Sequence, residues 1–406
     1  MSFFLKFSGF TLIPLMSLMS PFLLLPIISR ISDSATWASY TSGQTIGMLA
    51  SAVVLWGWNI SGPAAVMRAK DEADRLMLYR ESLWSRVAVL VIVGPIVCLI
   101  SAIVAAAPAR LEAASMTLAM TVGGLTPSWY GVAIGSPRIV AVYDALPRLV
   151  AMLAAVPLLI VFRAVWIYPM LLTAALALSL WAFGRQRGHV RGSALTARAI
   201  FGRIKFQARS AVSIAMGAAY GAAPVPIATA LLAIQQAAGF ASVFQIYRVA
   251  TFPVLALGNA FQSWVLGSEA RPVLRRQCIA LGCHAVMGGV GAVMFGCLGP
   301  AGSAILFGEA HRAKDELCWL FGVALFFLSL NTPLTRNLLI PSGGHGLFLY
   351  ATTVSAICGT SVMIITATQS MSTGIALGFT LSEFLLFAVV VVPALIALKK
   401  NNIWVT

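Results

Sequence analysis

The sequence predicts an all-α polytopic membrane protein of about twelve transmembrane helices. Apolar runs of span length recur along the whole chain, and the basic residues gather in alternate gaps between them. The composition points the same way. Of 406 residues, 60% are hydrophobic and only 10% are charged, and the mean hydropathy is +0.92. A soluble domain covers its surface with about 25% charged residues, so this chain cannot present a water-compatible exterior. One span takes about 20 apolar residues, so twelve take about 240. The remainder suffices for short loops and leaves no room for a soluble catalytic domain.

The runs lie at 8–28, 38–60, 84–105, 113–133, 147–164, 165–184, 210–232, 240–262, 278–299, 316–334, 346–367 and 374–398. Each is expected to be helical, because hydrocarbon offers nothing to pair with open backbone groups. Internal prolines such as Pro95, Pro157 and Pro253 do not oppose this, since neighbouring helices repair such breaks. Lys6 precedes the first run and no small-x-small cleavage site follows it. That run is therefore read as a retained membrane helix and not a signal peptide.

Basic residues set the expected orientation. With both termini cytoplasmic, 21 of the 27 Lys and Arg residues fall in cytoplasmic segments, and Arg30, Arg110, Arg163, Arg312 and Lys314 fall opposite. Arg248 alone is left within a span. This positive-inside asymmetry accounts for the net charge of +15 without a nucleic-acid partner. The longest polar stretch, about 184–209, is basic and is expected to be a partly amphipathic cytoplasmic linker. It divides the chain into an N-terminal half, 1–192, and a C-terminal half, 193–406, of six spans each.

The halves echo one another. Trp37-Ala38-Ser39-Tyr40 compares with Phe240-Ala241-Ser242-Val243 at a matching offset, and Thr126-Pro127 with Thr332-Pro333. Such an echo suggests a parallel internal repeat.

Enzyme motifs are missing from the sequence. It has no Walker A segment, no G-x-S-x-G and no H-E-x-x-H, and His189, His284, His311 and His345 are scattered. Cys98, Cys278, Cys283, Cys297, Cys318 and Cys358 form no C-x-x-C pair and read as small apolar residues. The sequence gives no reason to expect a cofactor, a catalytic residue or a metal site.

Polarity inside the spans is the informative signal, because ionisable groups there are costly and default to function. At 100° per residue, Gln245, Arg248, Asn259 and Gln262 share a stripe about 100° wide. It reads as cavity lining or as an interhelical hydrogen-bond ladder. Tyr40, Gln44, Gly47 and Ser51 make a similar face on the second span, either interior lining or close packing through small residues. Glu383, in the last span, is either a hydrogen-bonded structural carboxylate or a proton-coupling site. Gly217 and Gly221 form a G-x-x-x-G, which reads as a close packing point. Asp71, Glu72 and Asp74 read as solvated charges pairing with Arg68, Lys70 and Arg75.

Three segments stand out: Leu25-Pro26-Ile27-Ile28-Ser29-Arg30 followed by Trp37; Trp56-Gly57-Trp58-Asn59 with Gly62-Pro63; and Leu125-Thr126-Pro127-Ser128-Trp129-Tyr130-Gly131 with Gly135, Tyr143 and Pro147-Arg148. They resemble the Wzx-type polysaccharide flippases of the multidrug/oligosaccharidyl-lipid/polysaccharide (MOP) superfamily. The resemblance implies a MATE-like fold of two six-helix bundles around a central cavity, in the bacterial cytoplasmic (inner) membrane. It implies a substrate as well: an undecaprenyl-diphosphate-linked oligosaccharide moved from the cytoplasmic to the periplasmic leaflet for O-antigen, capsule or exopolysaccharide synthesis. Candidate partners are then membrane lipids, a polysaccharide polymerase and a chain-length regulator. The cationic cavity of that family matches Arg248 here, with Arg30 and Arg86 at the span ends, and Gln245, Asn259, Gln262 and Gln44 would meet sugar hydroxyls. A cation there suits a diphosphate that leaves water. Two other readings stay open: an organic-cation efflux antiporter of the same superfamily, and a membrane-embedded polysaccharide polymerase.

Overall fold

The computed structural model describes residues 21–187, 196–266 and 273–403. The start of the predicted first span and the middle of the 184–209 linker lie outside them. The chain forms two compact units, Met1–Ala230 and Leu231–Thr406. All regular structure among the described residues is helical.

The first unit contains α1 (Leu25–Ile31), α2 (Ser34–Leu55), α3 (Trp58–Arg68), α4 (Glu72–Val104), α5 (Arg110–Val122), α6 (Ser128–Ala133), α7 (Pro137–Val140), α8 (Leu146–Phe162), α9 (Ile167–Arg187), α10 (Ala197–Ala222) and α11 (Pro224–Leu231). The second contains α12 (Ile234–Leu266), α13 (Val273–Phe307), α14 (Asp315–Pro333), α15 (His345–Thr368) and α16 (Ser372–Ile403). Among the described residues nine helical segments are long and apolar enough to cross a bilayer, and ten if α10 and α11 are one bent span. Their outward faces are apolar. On α4, Val91, Ile92, Ile96, Leu99 and Ile103 are all more than half exposed. Five such side chains on one helix are stable only against hydrocarbon, and the protein is a multi-pass membrane protein.

Several of the twelve predicted spans do not appear as single unbroken helices, among them the first and the fourth. Of run 8–28, the described part belongs to a short apolar helix, Pro21–Ile31. Run 113–133 is broken: α5 ends in a tight 3₁₀ turn at Gly123–Leu125, and Pro127 precedes α6. Hydropathy registers the apolar length of this run but not the break, because proline removes a donor without lowering apolarity. A comparable break between α10 and α11 falls just before Pro224, where the preceding residue is steered out of helical conformation.

Local chemistry sets the other ends. Asp33 caps α2, its carboxylate accepting from the Thr36 N–H at 2.8 Å. Asp71 caps α4 through the Asp74 N–H at 2.8 Å, and Asp74 accepts from the Lys70 N–H at 3.3 Å. Asp71 and Asp74 therefore act on backbone donors at a helix start, where orphan N–H groups need acceptors, and the expected pairing with the side chain of Lys70 is replaced by a bond to its backbone. Between α2 and α3 the chain turns through Trp56 and Gly57, both in the left-handed region at φ 48° and 78°. The Trp56 indole donates to the Ile204 carbonyl at 2.9 Å, and that of Trp58 to Ser85 Oγ at 3.0 Å.

The segments that carry the family resemblance pack on each other. The Trp58 and Trp129 rings lie 5.3 Å apart, and a Cβ on Gly62 would enter the Trp129 ring. Tyr130 packs on Tyr79 and Phe183. These residues build the core of the first unit. The small-residue face of α2 also packs closely. Gly43 and Gly47 lie against the α5 backbone at Ala113 and Thr117, and Thr117 Oγ1 donates to the Gly43 carbonyl at 3.0 Å. By contrast, Gly217 and Gly221 have open space where a side chain would go. The G-x-x-x-G of α10 is not a packing point here, because no described atom approaches it.

α10 joins the first unit through the Ile204 bond and through Arg203, whose Nε meets Glu81 Oε2 at 2.8 Å. The second unit is held by an aromatic cluster of Phe240, Phe244, Tyr247, Phe321 and Phe379, from α12, α14 and α16. In both units the echoed segments are core: Trp37 to Tyr40 and Phe240 to Val243 are all buried.

Candidate functional site

The stripe on α12 lies in the second unit and divides along its length. Gln245 is buried at the aromatic cluster. Arg248, one turn on, is half-buried, its guanidinium 5.9 Å from the centre of the Phe244 ring. The ring gives the cation a rigid floor and some cation–π attraction. Asn259 and Gln262 lie beyond Pro253; Asn259 is exposed and Gln262 half-buried. Eleven residues of helix separate Arg248 from Asn259, about 16 Å.

Asn259 has a partner that sequence reasoning missed. Its Oδ1 accepts from Arg336 Nη2 at 2.8 Å. Arg336 lies in a π-helical turn, Leu334–Leu339, that continues α14 after Pro333. The Ile340 N–H reaches back five residues to the Thr335 carbonyl at 2.9 Å. Such a turn inserts one residue into the helix and re-aims the side chains that follow. Here it presents a second half-buried cation to the stripe. The sequence carried a signal, since Arg336 follows the echoed Thr332-Pro333 by three residues. Just past the apolar run 316–334, it reads from sequence as a loop charge.

Glu383, on α16, is buried, and its Oε2 accepts from Asn331 Nδ2 at 3.2 Å. The same amide also reaches the Glu383 carbonyl at 3.1 Å. Asn331 and Arg336 thus flank Thr332-Pro333, one facing the carboxylate and the other the stripe.

The remaining expected site residues belong to the first unit. Gln44 is fully buried on α2, between the two glycines that meet α5. Arg30 is exposed in the last turn of α1, where a cation complements the helix dipole. Arg86 is fully buried. Its Nη1 donates to the Gly124 and Thr126 carbonyls at 3.0 Å each, and its Nε to the Ser82 carbonyl at 3.3 Å. These two acceptors flank Leu125, at the point where the 3₁₀ turn gives way to Pro127, so Arg86 satisfies carbonyls that the break leaves without helical donors. Arg86→Met is expected to destabilise the protein by about 2–5 kcal/mol, since two buried carbonyls lose their donors. The loss is to be read as a lower melting temperature in detergent.

Near that break the first unit holds a further polar pair, of which only Arg148 stands in the segments that carry the resemblance. Asp144 sits in a π turn, Ala141–Ala145, and Arg148 in the first turn of α8. Their side chains pair at 2.9 Å, and Ser128 Oγ donates to the second carboxylate oxygen at 2.8 Å. An acid and a base four residues apart on a predicted helix would have signalled the pair. Each unit therefore places a charged side chain on a π turn that follows a Thr-Pro step.

The arrangement places polar and charged side chains inside a membrane helix bundle. Among the described residues no group of His, Cys, Asp or Glu side chains is placed to hold a metal.

No protein-family profile matches the chain, and no curated protein matches it in sequence. Solved structures do match its fold. The lipid II flippase MurJ, in an inward-closed conformation, superposes with a TM-score of 0.74 over 94% of this chain and 87% of that one, at 8% identity. An inward-facing multidrug-resistance MATE transporter of the MOP superfamily gives 0.62 over 96% and 98%, at 13% identity. The eukaryotic MATE transporter AtDTX14 gives 0.59 over 99% and 98%, at 14% identity. The chain has the fold these proteins share.

Proposed function

We propose that the protein is a flippase that carries an oligosaccharide linked to a polyprenyl diphosphate, of the undecaprenyl repeat-unit type, from the cytoplasmic to the periplasmic leaflet. The observation that carries this reading is Arg248, a cation half-buried in the middle of a membrane helix on an aromatic floor. An arginine keeps its charge in a bilayer. It can therefore meet a diphosphate through short charge-assisted hydrogen bonds. Gln262 and the Asn259–Arg336 pair extend the polar surface along α12 for sugar hydroxyls, while Gln245 is enclosed at its base. No bond is broken. The protein exposes this surface to one side of the membrane and then to the other, while the polyprenyl chain stays in lipid.

The likeness to MurJ supports a lipid-linked substrate, and the likeness to MATE transporters raises the efflux alternative. Thermal unfolding in the presence of each ligand separates them. A polyprenyl-diphosphate oligosaccharide at 100 times its dissociation constant is expected to add about 2.7 kcal/mol and raise the melting temperature by a few degrees. A cationic dye is expected to add nothing. Stabilisation by the dye and not by the diphosphate would replace this reading with efflux.

Glu383 is the proposed coupling carboxylate, buried against Asn331 in a span. Glu383→Gln retains a side-chain oxygen for the Asn331 amide and removes the titrating proton. It is expected to melt like the wild type and to make transfer indifferent to an imposed pH gradient. A variant whose rate still follows the gradient would assign Glu383 to structure alone.

A further inference from the structure

We propose that Arg148 is a second oxyanion receptor, in the first unit, and that Asp144 occupies it until a phosphate-type group takes its place. The inference rests on the flippase reading and adds to it a binding residue and an exchange step.

Four observations carry it. Arg148 and Asp144 line a cavity of about 380 Å³ whose other walls are mainly apolar, among them Met48, Leu55 and Met120. Both are buried, Arg148 being 9% exposed and Asp144 7%. The carboxylate is engaged at both oxygens, one by Arg148 Nε at 2.9 Å and the other by Ser128 Oγ at 2.8 Å. Arg148, by contrast, gives Asp144 only its Nε–H, and neither Nη group makes a hydrogen bond to a described residue. A guanidinium has five N–H donors, so four remain for an incoming group. Spare capacity at this site therefore lies on the cation, and the complementary ligand is rich in acceptors. A cationic ligand would find the carboxylate already taken.

Gly123 keeps the approach open. A Cβ there would come within 3.0 Å of Arg148 Nη2, so any larger residue would press on the end of the guanidinium that is left over. The apolar walls raise the strength of each charge-assisted bond by excluding water. The volume sets what fits. It lies near the lower end of small-molecule sites, roughly 300–1,000 Å³, which suits a phosphate or diphosphate headgroup and the first carbons of its chain but not an oligosaccharide. Binding exchanges one anion for another on Arg148. It removes one of the groups that hold Asp144, so the ligand alters the contacts between α6 and the π turn that leads into α8.

The test uses the full-length protein in nanodiscs of phosphatidylcholine, titrated with undecaprenyl diphosphate in one arm and phosphatidylglycerol in the other, with binding read by native mass spectrometry. Arg148→Gln is expected to weaken binding by about 10-fold or more, through loss of the charge-assisted donors. Asp144→Asn is expected to tighten it several-fold, because the resident competitor loses its charge. The opposite signs are the signature. A merely structural ion pair would make both substitutions act alike, so a loss in both, or no change in either, would overturn the proposal. Where either variant fails to fold, Arg148→Lys keeps the charge but not the fork of donors, and is expected to bind several-fold more weakly; unchanged binding by that variant would also overturn it. Response to undecaprenyl diphosphate assigns the site to the substrate. Response to phosphatidylglycerol alone keeps Arg148 as the receptor and makes the membrane headgroup its ligand. A wild type that binds neither would overturn the receptor, while transfer that still depends on Arg248 would leave the flippase reading standing.

Discussion

Replacing Arg248 by alanine is expected to lower the rate of leaflet transfer by about 100-fold. A hydrogen bond to a charged group contributes about 1.5–3 kcal/mol, and a guanidinium offers a phosphate two in parallel. Their loss is about 3 kcal/mol at the least, or about two orders of magnitude. The fold should survive, because Arg248 is half-buried and the aromatic cluster beneath it stays packed. Arg248→Lys keeps a point charge without the fork and is expected to retain part of the rate. The measurement is the initial rate at which a fluorescent polyprenyl-diphosphate oligosaccharide becomes inaccessible to an impermeant quencher. Equal rates for wild type and alanine variant, with equal melting temperatures, would remove Arg248 from the site.

A large effect on stability is expected elsewhere, at Gly43. A Cβ there would collide with the Ala113 backbone, and no side-chain movement relieves a clash with backbone. Gly43→Ala should force α2 and α5 apart and stretch the bond from Thr117 Oγ1 to the Gly43 carbonyl. Overpacking of this kind costs about 1–3 kcal/mol, and a weakened buried hydrogen bond adds about 1 kcal/mol. Gly217→Ala is the control. Its site is open, and alanine in a helix interior is favoured over glycine by about 0.5–1 kcal/mol. Melting in detergent should therefore fall with the first substitution and hold or rise with the second. A fall with both would mean that α10 packs where the structure leaves it open.

The two glycine pairs show how far a sequence pattern carries. Gly217 and Gly221 fit the packing motif and pack on nothing described, whereas Gly47, legible only as part of a polar face, and Gly43, which fits no motif, meet a neighbouring backbone. Spacing marks where close approach is allowed, and the partner helix decides whether it happens. Hydropathy behaved in a similar way. Long apolar runs such as 84–105 and 374–398 needed no partner to be legible, since the bilayer dictates both their length and their helicity. The run at 113–133 was equally apolar, yet Gly123–Leu125 and Pro127 break it, and the break stands because Arg86, 38 residues from Gly124, satisfies its carbonyls.

The candidate site was half legible for the same reason. The α12 stripe follows from helical periodicity within one segment. Its extension through Arg336 depends on a π turn and on a bond across 77 residues, and the Asn331–Glu383 contact spans 52. Neither leaves a periodic trace. Asp144 and Arg148 are only four residues apart, and were missed because a basic residue at a span end reads as topology. The motifs that resemble the flippase family are chiefly packing residues, Trp58, Gly62, Trp129 and Tyr130. They report on the fold.

Transfer across the bilayer is the claim on which the rest depends. Purified protein is reconstituted into liposomes with a fluorescent undecaprenyl-diphosphate oligosaccharide in the outer leaflet, and a membrane-impermeant quencher is added after timed intervals. Flippase activity gives a protected fraction that grows with time in protein-containing vesicles and stays flat in empty ones. A flat trace with folded protein and cognate sugar, in vesicles that accumulate a cationic dye, would contradict it.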